Sequence, residues 1–207
     1  MKVRELLPLR RTVPTKSPKE GRWTEHKNDL QEDFHCHCGY CGSYDGYKHT
    51  WYEVDHFIPK SLFNGRLSNV EYSNLVYSCK FCNNKKLAKW PTGNIELPNY
   101  NNQGFVDPCD KDYDNHLYRT SNGSIRWLTP LGKWMVEVGF KFDERDYAVK
   151  LLWELNQLRK AIDYLILEAK KYSEDSEGHK GIITKSQEYA LKYFLFRNEL
   201  DEYYKTM

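Results

Sequence analysis

The sequence predicts an α+β protein in which a small zinc-stapled core precedes an α-helical C-terminal region. Three observations carry this expectation. Cys38-x2-Cys41 and Cys79-x2-Cys82 form two knuckles, and a two-residue gap lets both sulfurs of a knuckle point at one ion, so that two knuckles complete a tetrahedral Zn2+ site. Short segments rich in β-branched and aromatic residues lie between the knuckles. From Ala148 to Ala169 apolar residues recur at i, i+3, i+4 and i+7, the stripe of an amphipathic helix.

Each element follows in chain order. Residues 1–21 hold three prolines, six bases and two acids without periodicity, and read as a basic N-terminal arm. Residues 22–34 form a short helix. Thr50–Ile58 is a strand closed by Pro59, and Leu75–Ser78 is a second one. Phe81–Trp90 is a helix stopped by Pro91. Asn122-Gly123 marks a hairpin turn, and Thr129-Pro130 an N-cap with proline at the first helical position. Two long helices close the chain, the second opening on the Thr184-x-x-Gln187 capping box. The short polar break between them predicts an antiparallel hairpin.

Composition limits the class. Hydrophobic residues make up 40% and charged residues 29%, with a mean hydropathy of -0.81. No apolar run approaches the roughly 20 residues that a membrane-spanning helix needs, and 6 Trp, 16 Tyr and 9 Phe supply ample core. The net charge is only +2, but residues 56–90 carry six bases against Glu71 alone, a local footprint for a polyanion. The Leu6-Leu7-Pro8-Leu9 stretch is too short for a signal-peptide core. The expected location is therefore cytoplasmic, where clustered cysteines serve as metal ligands rather than disulfides. Cys36 is an alternative ligand to Cys38.

A plain zinc ribbon separates its knuckles by roughly 15–20 residues, whereas residues 42–78 intervene here. They include Asp55-His56-Phe57-Ile58-Pro59-Lys60-Ser61 and Asn74-Leu75, and Asn83 directly follows Cys82. This order of motifs resembles the zinc-stapled HNH endonucleases over residues 36–90. The resemblance implies a ββα-metal core with Asp55 and His56 on the first strand and Asn83 on the helix. It implies hydrolysis of nucleic-acid phosphodiesters; DNA is the favoured substrate and RNA such as tRNA the alternative, a choice that the motif itself does not decide. The domain organisation then reads as an arm at 1–21, an HNH nuclease domain at 22–128 and a helical region at 129–207.

The chemistry of the residues agrees. The imidazole of His56 suits proton removal from water near neutral pH. Asp55 and Asn83 offer hard oxygens that favour Mg2+ or Mn2+. Asn74 matches the family residue that holds the loop around the catalytic strand. Lys60, Lys85 and Lys86 are placed to meet phosphate oxygens. A non-catalytic zinc module binding nucleic acid or protein is the alternative reading, disfavoured because it has no need of Asp55, His56 and Asn83 together.

Downstream, Phe105-Val106-Asp107-Pro108-Cys109 followed by His116 resembles, more loosely, HNH effectors paired with an ATPase in Septu-type and some retron anti-phage systems. That resemblance implies an ATPase partner held through the C-terminal helices or the N-terminal arm. Asp107 and His116 read as structural, and Cys109 as a small core residue or reserve zinc ligand.

Overall fold

The strand-forming residues on either side of the turn-rich stretch pair with one another. Tyr52–His56 (β1) and Leu75–Cys79 (β2) form an antiparallel hairpin in which Tyr52 lies opposite Cys79 and His56 opposite Leu75. The computed structural model describes residues 1–205. All five residues of β2 are buried, so this strand is the floor of the core. Trp23–His26, a 3-10 turn, leads into Lys27–Asp33 (α1), which packs against both strands.

Lys80–Lys86 (α2) follows β2 without a loop, Cys79 being its N-cap. The sequence places the helix end at Pro91; the chain leaves the helix at Leu87, whose φ is 48°. Tertiary packing accounts for the difference. The buried Trp90 turns in to meet Phe57 at 5.3 Å between ring centroids, a contact that a continued helix would forfeit.

Two small ribbons follow. Asn99–Tyr100 (β3) pairs with Gln103–Gly104 (β4), and Tyr113–His116 (α3) leads into the hairpin of Leu117–Arg119 (β5) and Ile125–Trp127 (β6). Gly123 takes φ 85° in the turn of that hairpin, as Asn122-Gly123 predicts. Pro130–Trp134 (α4) opens with the Thr129 hydroxyl accepting from the Gly132 amide at 3.0 Å. It continues through a π-helical turn at Met135–Gly139. Phe105, Phe140 and Phe142 are buried and pack ring on ring at 5.1 Å. Burying each such side chain contributes about 1.5–3 kcal/mol.

The chain divides into two compact units, Met1–Asp146 and Tyr147 onward, whereas the sequence reading draws its boundaries after residues 21 and 128. Each displaced boundary has a cause. The N-terminal segment is anchored, not loose: Arg4 pairs with Asp114 at 3.3 Å, Arg10 with Asp107 at 3.0 Å, and Arg11 with Asp33 at 2.8 Å. Helix α4 and its π turn bury Leu131, Met135 and Val136 in the first unit.

The second unit is a helical hairpin. Asp146–Ala169 (α5) runs to the break and Glu177–Lys205 (α6) returns, with Tyr147 meeting Tyr203 at 5.5 Å. The α6 helix begins seven residues before Thr184, so the capping box is not used. Ser176 caps instead, its hydroxyl accepting from the His179 amide at 3.2 Å, while Thr184 donates to the Lys180 carbonyl within the helix at 2.9 Å. No helix among the described residues is long and apolar enough to cross a membrane.

Candidate active site and metal centre

The two knuckles converge. The Sγ atoms of Cys38, Cys41, Cys79 and Cys82 lie within 4.8 Å of one another, and all four residues are buried. An ion holding four sulfurs at about 2.3 Å spaces them about 3.8 Å apart; Cys41 Sγ and Cys79 Sγ are 3.8 Å apart. Hydrogen bonding from Cys38 and its neighbours holds the Cys41 thiol well below the ordinary range, while burial pushes Cys38 and Cys82 well above it. Four buried cysteine sulfurs converging on one point fit Zn2+, which would bind them as thiolates. Cys36 and Cys109 stand outside the cluster.

Two buried guanidinium groups flank the sulfurs. Arg145 Nη1 lies 3.7 Å from Cys79 Sγ. Arg119 donates to the carbonyls of Cys41, Gly123 and Val3 at 2.5, 2.7 and 3.2 Å. Burial lowers the Arg119 pKa to about 10, which leaves it charged at neutral pH. A divalent ion with four thiolates carries a charge of -2 by formal count, and these two cations offset it. Gly42, in the first knuckle, has φ 67°, and a Cβ there would meet the Val3 carbonyl oxygen at 2.7 Å. The turn therefore needs glycine both for its backbone conformation and for the close approach of the N-terminal segment.

The opposite end of the hairpin holds His56. Its Nε2 is 2.8 Å from the Asn69 carbonyl. A carbonyl only accepts, so Nε2 carries the hydrogen and Nδ1 of the neutral ring keeps its lone pair. Trp23 and Phe63 hold the ring edge-on at 5.2 and 5.7 Å. Burial lowers the His56 pKa below its ordinary value, opposed by the hydrogen bond to Asn69. Asn74 closes the intervening loop: Oδ1 accepts from the Ile58 amide at 2.8 Å and Nδ2 donates to the Ile58 carbonyl at 3.1 Å. Its backbone carbonyl also accepts from the Phe57 amide at 2.8 Å.

Asp55 leaves β1 on the face opposite His56, as alternation along a strand requires. The Tyr40 hydroxyl donates to Asp55 Oδ2 at 2.6 Å, and Lys86 Nζ is 3.2 Å from the same oxygen. Lys86 also donates to the His56 carbonyl at 2.8 Å and is fully buried. It is thus the inward partner of β1, not the phosphate ligand that the sequence reading makes it. Asn83 on α2 donates from Nδ2 to Glu53 Oε2 at 2.7 Å. Among the described residues no hydrogen bond engages Asp55 Oδ1 or Asn83 Oδ1, and two such hard oxygens suit Mg2+ or Mn2+.

The remaining sequence-predicted residues lie at the rim or away from it. Lys60 Nζ sits 3.9 Å above the Trp23 ring, and Lys85 pairs with Glu144 at 2.5 Å. Asp107 bonds the Cys109 amide and Arg10, and His116 bonds Thr129 and Asp112, all structural contacts. Burial pushes the Cys109 thiol up to about 11. Sequence reasoning missed Tyr40, Glu53 and Asn69. Glu53 alone had a legible signal, since it shares the β1 face of Asp55 two residues away.

Residues 38–89, about a quarter of the chain, match the family model described as HNH endonuclease. No curated protein and no solved structure matches the chain. The matched segment contains the four cysteines, Asp55, His56, Asn74 and Asn83. The chain thus carries an HNH domain, the domain of a nuclease family whose substrates are nucleic acids.

Proposed function

We propose that this protein is a metal-dependent HNH endonuclease that hydrolyses phosphodiester bonds, with DNA as the favoured substrate and His56 as the proton acceptor. The observation that carries this reading is the orientation of His56: the Asn69 carbonyl takes Nε2–H, which leaves Nδ1 as a base in the neutral ring. In the proposed reaction Nδ1 removes a proton from water, and the water oxygen forms the new bond to phosphorus. The bond to the leaving sugar oxygen breaks, and that oxygen takes a proton from solvent. A Mg2+ or Mn2+ ion, when bound, supplies positive charge to the phosphate oxygens; Asp55 and Asn83 are the residues to hold it.

Asp55 and His56 are the last two residues of β1, and at this strand end the two faces are proposed to serve one phosphate. Asn74 fixes the loop, and Lys60 and Lys85 attract the backbone from the rim. A role as an ATPase-partnered defence effector extends this proposal on the Phe105–His116 block alone.

The test is cleavage of plasmid, single-stranded DNA and total tRNA, with Mg2+ and Mn2+ separately and His56→Ala alongside. Wild-type cleavage of DNA, lost in His56→Ala, is the expected result. Cleavage of tRNA alone would reassign the substrate to RNA, because a centre that contacts phosphates does not distinguish bases. Equal cleavage by both proteins would overturn the role of His56. Zinc-loaded protein that binds these nucleic acids and cleaves none would favour the binding module.

A further inference from the structure

We propose that Glu20, outside the matched HNH segment, is a positioning residue for His56 that acts through the Ser68–Asn69 turn. The inference rests on the reading of His56 as the proton acceptor. Glu20 Oε1 accepts from the Asn69 amide at 2.9 Å and from Asn69 Nδ2 at 2.5 Å, while Oε2 accepts from the Ser68 hydroxyl at 2.5 Å. Three donors from two consecutive residues thus converge on one carboxylate. These hydrogen bonds hold the Glu20 carboxyl below its usual range, the one from Ser68 most strongly. Asn69 is the residue whose carbonyl fixes Nε2 of His56 at 2.8 Å.

No regular element supports that carbonyl. Asn69 lies between the 3-10 turns Lys60–Leu62 and Tyr72–Asn74, with exposed Asn64, Gly65 and Arg66 before it. The chain around Glu20 is itself held on the other side, because Trp23 packs edge-on against His56 at 5.2 Å. The segment therefore meets the imidazole twice, once as an aromatic wall and once as a latch on its hydrogen-bond acceptor. The charged groups around His56 are Glu20 from this segment, Lys60 after β1, Asp55 on β1 and Lys86 on α2. Glu20 and Asp55 favour the imidazolium, and the two lysines oppose it.

Glu20→Gln weakens the grip on the Ser68–Asn69 turn, so the Asn69 carbonyl fixes Nε2 of His56 less firmly and the ring loosens. The kcat for DNA cleavage in Mg2+ should drop about tenfold with KM nearly unchanged, a fraction of what a general base supplies. NMR of the imidazole nitrogens in the neutral ring reads the same change without turnover: wild type should show the Nε2–H tautomer, and Glu20→Gln mixed tautomers. Thr15→Val, which removes a 2.8 Å bond to Asp29 from the same N-terminal segment, should lower stability and leave both readouts unchanged. Wild-type kcat and a single Nε2–H tautomer in Glu20→Gln, with cleavage lost in His56→Ala, would overturn the latch alone. Undiminished cleavage in His56→Ala would overturn the reading of His56 and this inference with it.

Discussion

The two ends of the β1–β2 hairpin obey opposite rules. At the Tyr52–Cys79 end the metal-binding cluster is closed in by protein: its four cysteines are at most 1% exposed, and Arg119 and Arg145 are buried beside them. At the His56–Leu75 end the imidazole is held by one carbonyl and two aromatic edges, beneath a loop whose middle faces water. Both ends belong to one pair of five-residue strands. One short hairpin can therefore anchor a fold at one end and present a titratable group at the other. The requirement is that the closed end be self-sufficient in charge and hydrogen bonds.

Breaking the closed end should have the largest effect on stability. Cys79→Ser removes one ligand of four. Structural zinc contributes about 10–16 kcal/mol of apparent binding energy in small zinc modules, comparable to the whole stability of a domain. The variant should lose its zinc by elemental analysis and its cooperative melt by circular dichroism; normal zinc content would dissolve the contrast between the ends. Lys86→Met comes next. It strands the Asp55 carboxylate in the core with Tyr40 alone, and removing one partner of a buried pair costs about 3–5 kcal/mol. Urea unfolding measures it, and a loss typical of a surface lysine would mean that Lys86 faces water.

Asn74→Ala sharpens the comparison from the open end. It leaves the Ile58 amide and carbonyl without their partner, at about 1–3 kcal/mol in urea unfolding. Zinc content should not change. The smallest effect is the pH dependence that His56 contributes. Its folded pKa lies below the ordinary 6.5, so around that pH the unfolded chain binds the proton first. Stability from this group is full above the unfolded value and declines as pH falls through the folded one. The difference in Tm between pH 7.5 and 5.5 should therefore shrink slightly in His56→Ala. A larger pH dependence in the variant would reverse the sign of the shift.

What the sequence disclosed followed from local grammar. The knuckles, the Asn122-Gly123 turn, the Thr129-Pro130 cap and the Ala148–Ala169 stripe each depend on residues within a few positions of one another. The HNH domain was legible for the same reason, its motifs being strung in a fixed order. Partners distant in the chain were not legible. Lys86 reads as surface until Asp55 and the His56 carbonyl, 31 and 30 residues away, are found around its ammonium. The basic arm shows no partner in the sequence until Arg4 meets Asp114 and Arg11 meets Asp33. Nor does a capping box identify a helix start when a better-placed hydroxyl, that of Ser176, lies upstream.

The clasp that Asn74 makes on Ile58 has a practical consequence for engineering. One side-chain amide fastens both ends of the loop that joins the strands, so the chain between them is in effect a cassette. Doubling such a loop costs only about 0.6 kcal/mol in closure entropy, far less than the anchored end supplies. Grafted segments of different length and charge should be accepted there. A graft has to reproduce the carbonyl of Asn69, the donors that Ser68 and Asn69 offer Glu20, and the aromatic edge of Phe63.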